Sequence, residues 1–187
     1  MSKNFHEINK FPKIKVDVNF LEQKYPFSDK KRGHWIESGN LIEFLGEETI
    51  TWLESKNLIV SKIEIFYTAP MFTTAWHVDM NPPQDLAKLN FVYCEGINYM
   101  QWGIVDENIE DLSYQTNSVG TMFLNCDNKI STITDQCHIK KSALVNVGKP
   151  HRIVNQSNHN RWCVSLLLWK ANPRERLTFH ESLNIFH

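Results

Sequence analysis

From residue 58 onward the sequence is a run of short β-branched and aromatic segments separated by turn residues. That pattern limits the chain to a small set of all-β architectures. Segment 62–68 alternates, with Ile63, Ile65 and Tyr67 in one phase. Further strands are expected at 74–77, 88–94, 99–105, 120–126, 143–147, 151–155 and 161–169, punctuated by Pro-Pro, Gly, Asn and Asp. Short strands at such spacing predict a sandwich, jelly roll or barrel. The last of these segments is the most apolar. Alternation places Trp162, Val164, Leu166 and Leu168 on one face, suited to a core, and Arg161, Cys163, Ser165 and Leu167 on the other.

The first third reads differently. Residues 1–34 are polar and interrupted by Pro12 and Pro26, which predicts an irregular arm with a short strand near 14–18. Residues 40–57 read as two short helices parted by Gly46, with Leu41, Phe44, Leu45, Ile50 and Leu53 as their apolar positions and Glu47-Glu48 opening the second. These helices are expected to cover one sheet face. The expected organisation is one domain over residues 1–187: an arm with helices (1–57), a β core (58–170) and a C-terminal tail (171–187).

Composition narrows the classes of partner. The 187 residues carry a formal net charge of −1, with 42% hydrophobic and 22% charged residues. That balance gives no electrostatic case for nucleic acid or an anionic membrane. The short basic cluster Lys30-Lys31-Arg32 reads as a solvated loop. Of the four cysteines, Cys94, Cys126, Cys137 and Cys163, none sits in a C-x-x-C pair, which disfavours a zinc ribbon or dithiol motif. No apolar leader or membrane-length apolar run is evident, so the expected location is cytoplasmic, with free thiols. Oligomeric state is left open.

The residues with chemistry are His77 and Asp79 in Trp76-His77-Val78-Asp79, His151 after Gly148-Lys149-Pro150, and Arg161. Alternate positions on a strand share a face, so His77 and Asp79 project together. Met80-Asn81-Pro82-Pro83 ends that strand, which puts both at a sheet mouth. Segments 143–147 and 151–155 read as a β-hairpin with His151 at its turn. Two imidazoles and a carboxylate on one face of a metal, with the opposite face open, is the donor set of non-haem Fe(II) oxygenases. A planar guanidinium is what a dicarboxylate co-substrate would need. Asn90, Tyr93, Gln101 and Asn155 are polar residues on expected strands that could face the same cavity. Asn90 and Tyr93 lie in opposite phases, so a regular strand admits one of them. Tyr67 and Trp102 read as core, with pocket wall as the alternative. His6, His34, His138, His159, His180 and His187 have no partner at ligand spacing and read as surface residues.

In this order, H-x-D, a distal His and then an Arg, the motifs over residues 60–170 resemble the 2-oxoglutarate/Fe(II)-dependent oxygenase superfamily. The segments 88–92, 100–102 and 146–155 look like small phage-encoded and aspartyl/asparaginyl- or prolyl-hydroxylase-like members. The resemblance implies a double-stranded β-helix (jelly roll) with N-terminal supporting helices. It implies Fe(II) held by His77, Asp79 and His151, and 2-oxoglutarate held by Arg161, with Cys163, Asn90, Tyr93 and Gln101 as further co-substrate contacts. Cys163 stands where the family usually has Ser, at the end of an R-x-S motif. O2 would be the second co-substrate, succinate and CO2 the by-products, and the product a hydroxylated C–H bond of an amino acid, peptidyl side chain or small metabolite. If the protein is phage-encoded, the expected location is the host cytoplasm. Two other classes share the architecture: a cupin-like metal enzyme without 2-oxoglutarate, and a non-catalytic jelly-roll binding or structural protein. Arg161 separates the first of these, because a cupin has no need of a buried guanidinium there.

Overall fold

A computed structural model describes residues 4–25, 31–37, 39–79, 85–106, 108 and 112–186. Pro26, Lys30, the Met80, Asn81, Pro82 and Pro83 segment and His187 lie outside the described residues. In chain order the elements are β1 (Phe5–Glu7), α1 (Val18–Lys24), β2 (Arg32–Glu37), α2 (Leu41–Leu45), α3 (Glu47–Ser55), β3 (Leu58–Thr68), β4 (Phe72–Thr73), β5 (His77–Val78), β6 (Ala87–Tyr93), β7 (Asn98–Val105), β8 (Tyr114–Thr116), β9 (Met122–Asn125), β10 (Ile130–Cys137), β11 (Ser142–Asn146), β12 (His151–Asn155), β13 (Arg161–Lys170), β14 (Glu175–Arg176) and α4 (Phe179–Ile185).

The strands form two antiparallel sheets that face each other as a jelly roll. One runs β1-β11-β6-β13-β3-β2, with β14 added beside β13. The other runs β10-β7-β12-β5-β9-β8, with β4 added beside β12. Central strand β13 shows why the layers stack as they do. Trp162, Val164, Leu166 and Leu168 are buried on its outer face with Leu21, Phe44, Leu45 and Leu53, so the helices cover that face as expected from their apolar positions. Gly46, at φ +79°, is the joint between α2 and α3. On the inner face, Cys163 packs with Val92, Met100, Trp102 and Val145 between the sheets.

Four expectations need correction. Residues 14–18 form no strand. Asp17 instead accepts a hydrogen bond from the Phe20 amide (2.9 Å) and caps helix α1. The arm at 1–34 is not irregular throughout, since β1 pairs with β11 and β2 with β3. The strand expected at 74–77 is reduced to β5 at His77–Val78, with Asp79 past its end, and the C-terminal tail carries α4, which starts with a Thr178/Glu181 capping box and buries Phe179 and Ser182. Segments 143–147 and 151–155 are not a hairpin. β11 belongs to the helix-covered sheet and β12 to the other, so the intervening turn carries the chain across the sandwich. Asn146 caps this turn by accepting from the Gly148 amide (3.1 Å), and Pro150 accepts from Gly103 of β7 (3.1 Å). His151 therefore stands at a sheet crossing.

Candidate metal centre

The crossing brings His151 opposite His77. The two are Cα partners in the β12/β5 ladder, and His77 is also paired with Asn125 on β9. Asp79 follows directly, its amide bonded to the Val147 carbonyl (3.1 Å). Each imidazole is oriented by its own backbone: Nδ1 of His77 lies 2.9 Å from the Ala75 carbonyl, and Nδ1 of His151 lies 2.8 Å from the Lys149 carbonyl. With Nδ1 donating, Nε2 presents its lone pair, which is how metal-ligating histidines are commonly set. Both Nε2 atoms face Oδ1 of Asp79, at 3.3 Å from His77 and 3.6 Å from His151. The three ligand atoms lie within 4.8 Å of one another. Donors at right angles, each about 2.1 Å from a shared ion, would stand about 3 Å apart, so the cluster suits one small divalent cation.

Its protonation state suits one too. Burial, and then the neighbouring His77, lower the His151 pKa to about 4 from its ordinary 6.5. Burial alone would raise the Asp79 carboxyl, but the Lys88 ammonium and both imidazoles outweigh it and hold it well below the usual range. At neutral pH the site thus offers a neutral imidazole at His151 and a carboxylate, the forms that bind metal. The lowered His151 value sets a sign for stability. The unfolded chain takes up this proton first, so the contribution is complete above pH 6.5 and is lost as pH falls through about 4. Metal-free protein is expected to lose on the order of 2–3 kcal/mol between pH 7 and 4 from this group. Urea unfolding across that window checks it, and His151→Gln should flatten the slope.

Arg161 opens β13 and is 1% exposed. Its Nε donates to Oδ1 of Asn98 (3.2 Å), while its Nη2 is buried without a hydrogen-bond partner. Among the described residues it makes no ion pair. It shares with the His77, Asp79 and His151 cluster a cavity of about 640 Å³. Cys163, Asn90, Ser165 and Met100 line the same space. Ser165 donates to Oδ1 of Asn90 (2.6 Å), and burial raises the Cys163 thiol.

Two expected contacts lie elsewhere. Tyr93 is in the opposite phase to Asn90 and its hydroxyl donates to the Val16 carbonyl (2.8 Å), beneath the N-terminal segment. Gln101 accepts from Arg152 Nε (2.8 Å) and donates to Gln136 (3.1 Å), away from the cavity that its neighbour Met100 lines. Asn155 is spent on the carbonyls of Thr68, Ala69 and His159. Trp102 is core, its indole donating to Asn146 (2.7 Å), whereas Tyr67 both packs in the core and borders the cavity.

The residues that sequence reading missed are Glu64, Lys88 and His34. Lys88 is 6% exposed and contacts Oδ2 of Asp79 at 2.5 Å and Oε2 of Glu64 at 2.6 Å. Glu64, 1% exposed, also meets Lys62 (3.1 Å) and Nε2 of His34 (3.3 Å). His34 is therefore no surface residue: it stacks on Phe66 (4.3 Å) and reaches Asn117 (2.9 Å) at the cavity wall. Burial works against both charges, yet mutual pairing lowers the Glu64 pKa and raises that of Lys88. A signal was present. Lys62 and Glu64 alternate with the core residues Ile63 and Ile65, which sends both charges to the inner face.

Fold and site together define a jelly-roll protein with a His–Asp–His cluster fit for a metal. No family model and no curated protein matches the sequence. Among solved structures the chain is similar to oxalate oxidase in complex with the substrate analogue glycolate (11% identity, TM-score 0.35, 72% of this chain and 50% of that one). It is also similar to vicilin from Corylus avellana (10%, TM-score 0.37, 82% and 32%). A third is the polyketide cyclase RemF from Streptomyces resistomycificus (12%, TM-score 0.28, 64% and 60%). The chain spans half of the oxalate oxidase chain and about a third of the vicilin chain. These likenesses are distant.

Proposed function

We propose that this protein is an Fe(II)- and 2-oxoglutarate-dependent oxygenase that hydroxylates a C–H bond of an amino acid, peptidyl side chain or small metabolite. The observation that carries the reading is Arg161: a buried guanidinium with an unpartnered Nη2, in the same cavity as two imidazoles and a carboxylate. An uncompensated buried charge is costly, and a visiting carboxylate would relieve it bidentately. Lys88, the other deeply buried cation of the cavity, already serves two carboxylates. Arg161 is thus the anion receptor.

His77, Asp79 and His151 would hold the iron. Iron held there would, with 2-oxoglutarate and O2, supply the oxidising chemistry for inserting one oxygen atom into a substrate C–H bond, with succinate, which would take the other oxygen atom, and CO2 as the by-products. The chain's own residues orient and shield. Asn98 fixes the Arg161 fork through Nε. Phe66, Met100 and Ile153 give the cavity apolar walls that limit water. A space of about 640 Å³ falls in the range of small-molecule sites and admits a metabolite or an inserted side chain. No described helix is long and apolar enough to cross a membrane, and we place the protein in the cytoplasm.

The test is succinate formation by purified protein supplied with Fe(II), ascorbate and 2-oxoglutarate. Slow uncoupled turnover without a prime substrate is the expected result. Metal binding with no 2-oxoglutarate binding would instead favour a cupin-like metal enzyme, and absence of both a non-catalytic jelly roll.

A further inference from the structure

We propose that Lys88 is a positioning residue for Asp79: it occupies Oδ2 and so reserves Oδ1 as a single donor to the ion. The inference rests on reading His77, Asp79 and His151 as metal ligands. Oδ1 is the oxygen that both histidine Nε2 atoms face. Oδ2 is bonded to Lys88 at 2.5 Å. A facial set of three protein donors leaves the remaining positions of the metal open for co-substrates. A carboxylate with both oxygens free can chelate, and then one of those positions closes.

A lysine beside a metal carboxylate raises a difficulty, since its charge repels the incoming cation and cancels the ligand's own. Glu64 resolves it. The Lys88 ammonium is held at 2.6 Å by Oε2 of Glu64, which is itself steadied through Oε1 by Lys62 at 3.1 Å. Glu64 and Lys88 form a neutral pair, so Lys88 can donate to Oδ2 without removing the charge that Asp79 offers the ion. The strand register makes this arrangement rigid. Glu64 and Asn90 are both partners of Ser165 on β13, and Lys88 and Lys62 are both partners of Leu167, so the groups occupy adjacent rungs of one inner face. A lysine needed only to fill space would require neither carboxylate, and one needed only as a counter-ion would require one.

The test uses the full chain, anaerobic Mn(II) titration and water-proton relaxation, comparing wild type, Lys88→Met and Lys88→Met/Glu64→Gln. The double variant removes the Glu64 charge that the single variant leaves buried, and decides the matter if the single variant does not fold. With Lys88 gone, Asp79 is free to chelate with both oxygens, and in the single variant the Glu64 charge is also left unbalanced near the ion. Mn(II) should bind roughly tenfold tighter, while relaxivity per bound ion falls by about a third, one exchangeable water of about three. Lys88→Arg should restore the wild-type relaxivity. A packing role predicts the opposite, weaker binding with relaxivity per ion unchanged, and that result overturns the proposal while leaving the metal site standing. If wild type binds no Mn(II), the metal reading and this inference both fall.

Discussion

His77→Ala removes metal binding: the affinity for Fe(II), or for Mn(II) as its redox-silent substitute, is expected to fall roughly a hundredfold or more, beyond the 10–100-fold typical of losing an outer partner. Unfolding should stay close to wild type. The His77 side chain is 27% exposed and sits on a two-residue strand, whereas that of His151 is 4% exposed in the heart of the crossing. His77 is therefore the candidate ligand whose loss separates chemistry from stability. Isothermal titration under anaerobic conditions, paired with thermal unfolding, checks both halves. Retained metal affinity in a folded His77→Ala protein would mean that the cluster is a hydrogen-bonded group and not a ligand set.

Arg161→Lys is the second large effect. Lysine keeps the charge but loses the planar fork, and with it the simultaneous contacts to Asn98 and to an incoming carboxylate. A charge-assisted hydrogen bond contributes about 1.5–3 kcal/mol, so the apparent constant for 2-oxoglutarate should rise roughly ten- to hundredfold. Metal affinity should stay unchanged, because Arg161 offers the ion no donor. Succinate release as a function of 2-oxoglutarate concentration measures the shift. An unchanged constant would remove Arg161 from co-substrate binding.

The central strands and the cluster were legible because both are written in alternation. Strand β13 shows its two faces plainly, and H-x-D sets two candidate ligands side by side, although Asp79 lies just past the end of β5. The hairpin at 143–155 was misread because a four-residue turn looks alike whether it returns within a sheet or crosses between sheets. The choice is made by partners far along the chain, β1 and β6 for one strand and β7 for the other. The edge elements escaped for a related reason. β10 is largely exposed and polar, and it is held by its ladder to β7 rather than by apolar periodicity. His34 had no local partner in sequence, since Glu64 reaches it from the neighbouring strand. Lys88 was hidden as one charge in an apolar strand, although an inward-facing lysine needs an acid, and two were available in Glu64 and Asp79.

Oxygenase chemistry at this site is tested most directly by the visible spectrum of the protein on anaerobic addition of Fe(II) and then 2-oxoglutarate. A weak charge-transfer band that requires both additions, disappears in His77→Ala and needs more 2-oxoglutarate in Arg161→Lys is the predicted result. A spectrum that stays featureless in wild type at saturating concentrations of both would contradict the oxygenase reading.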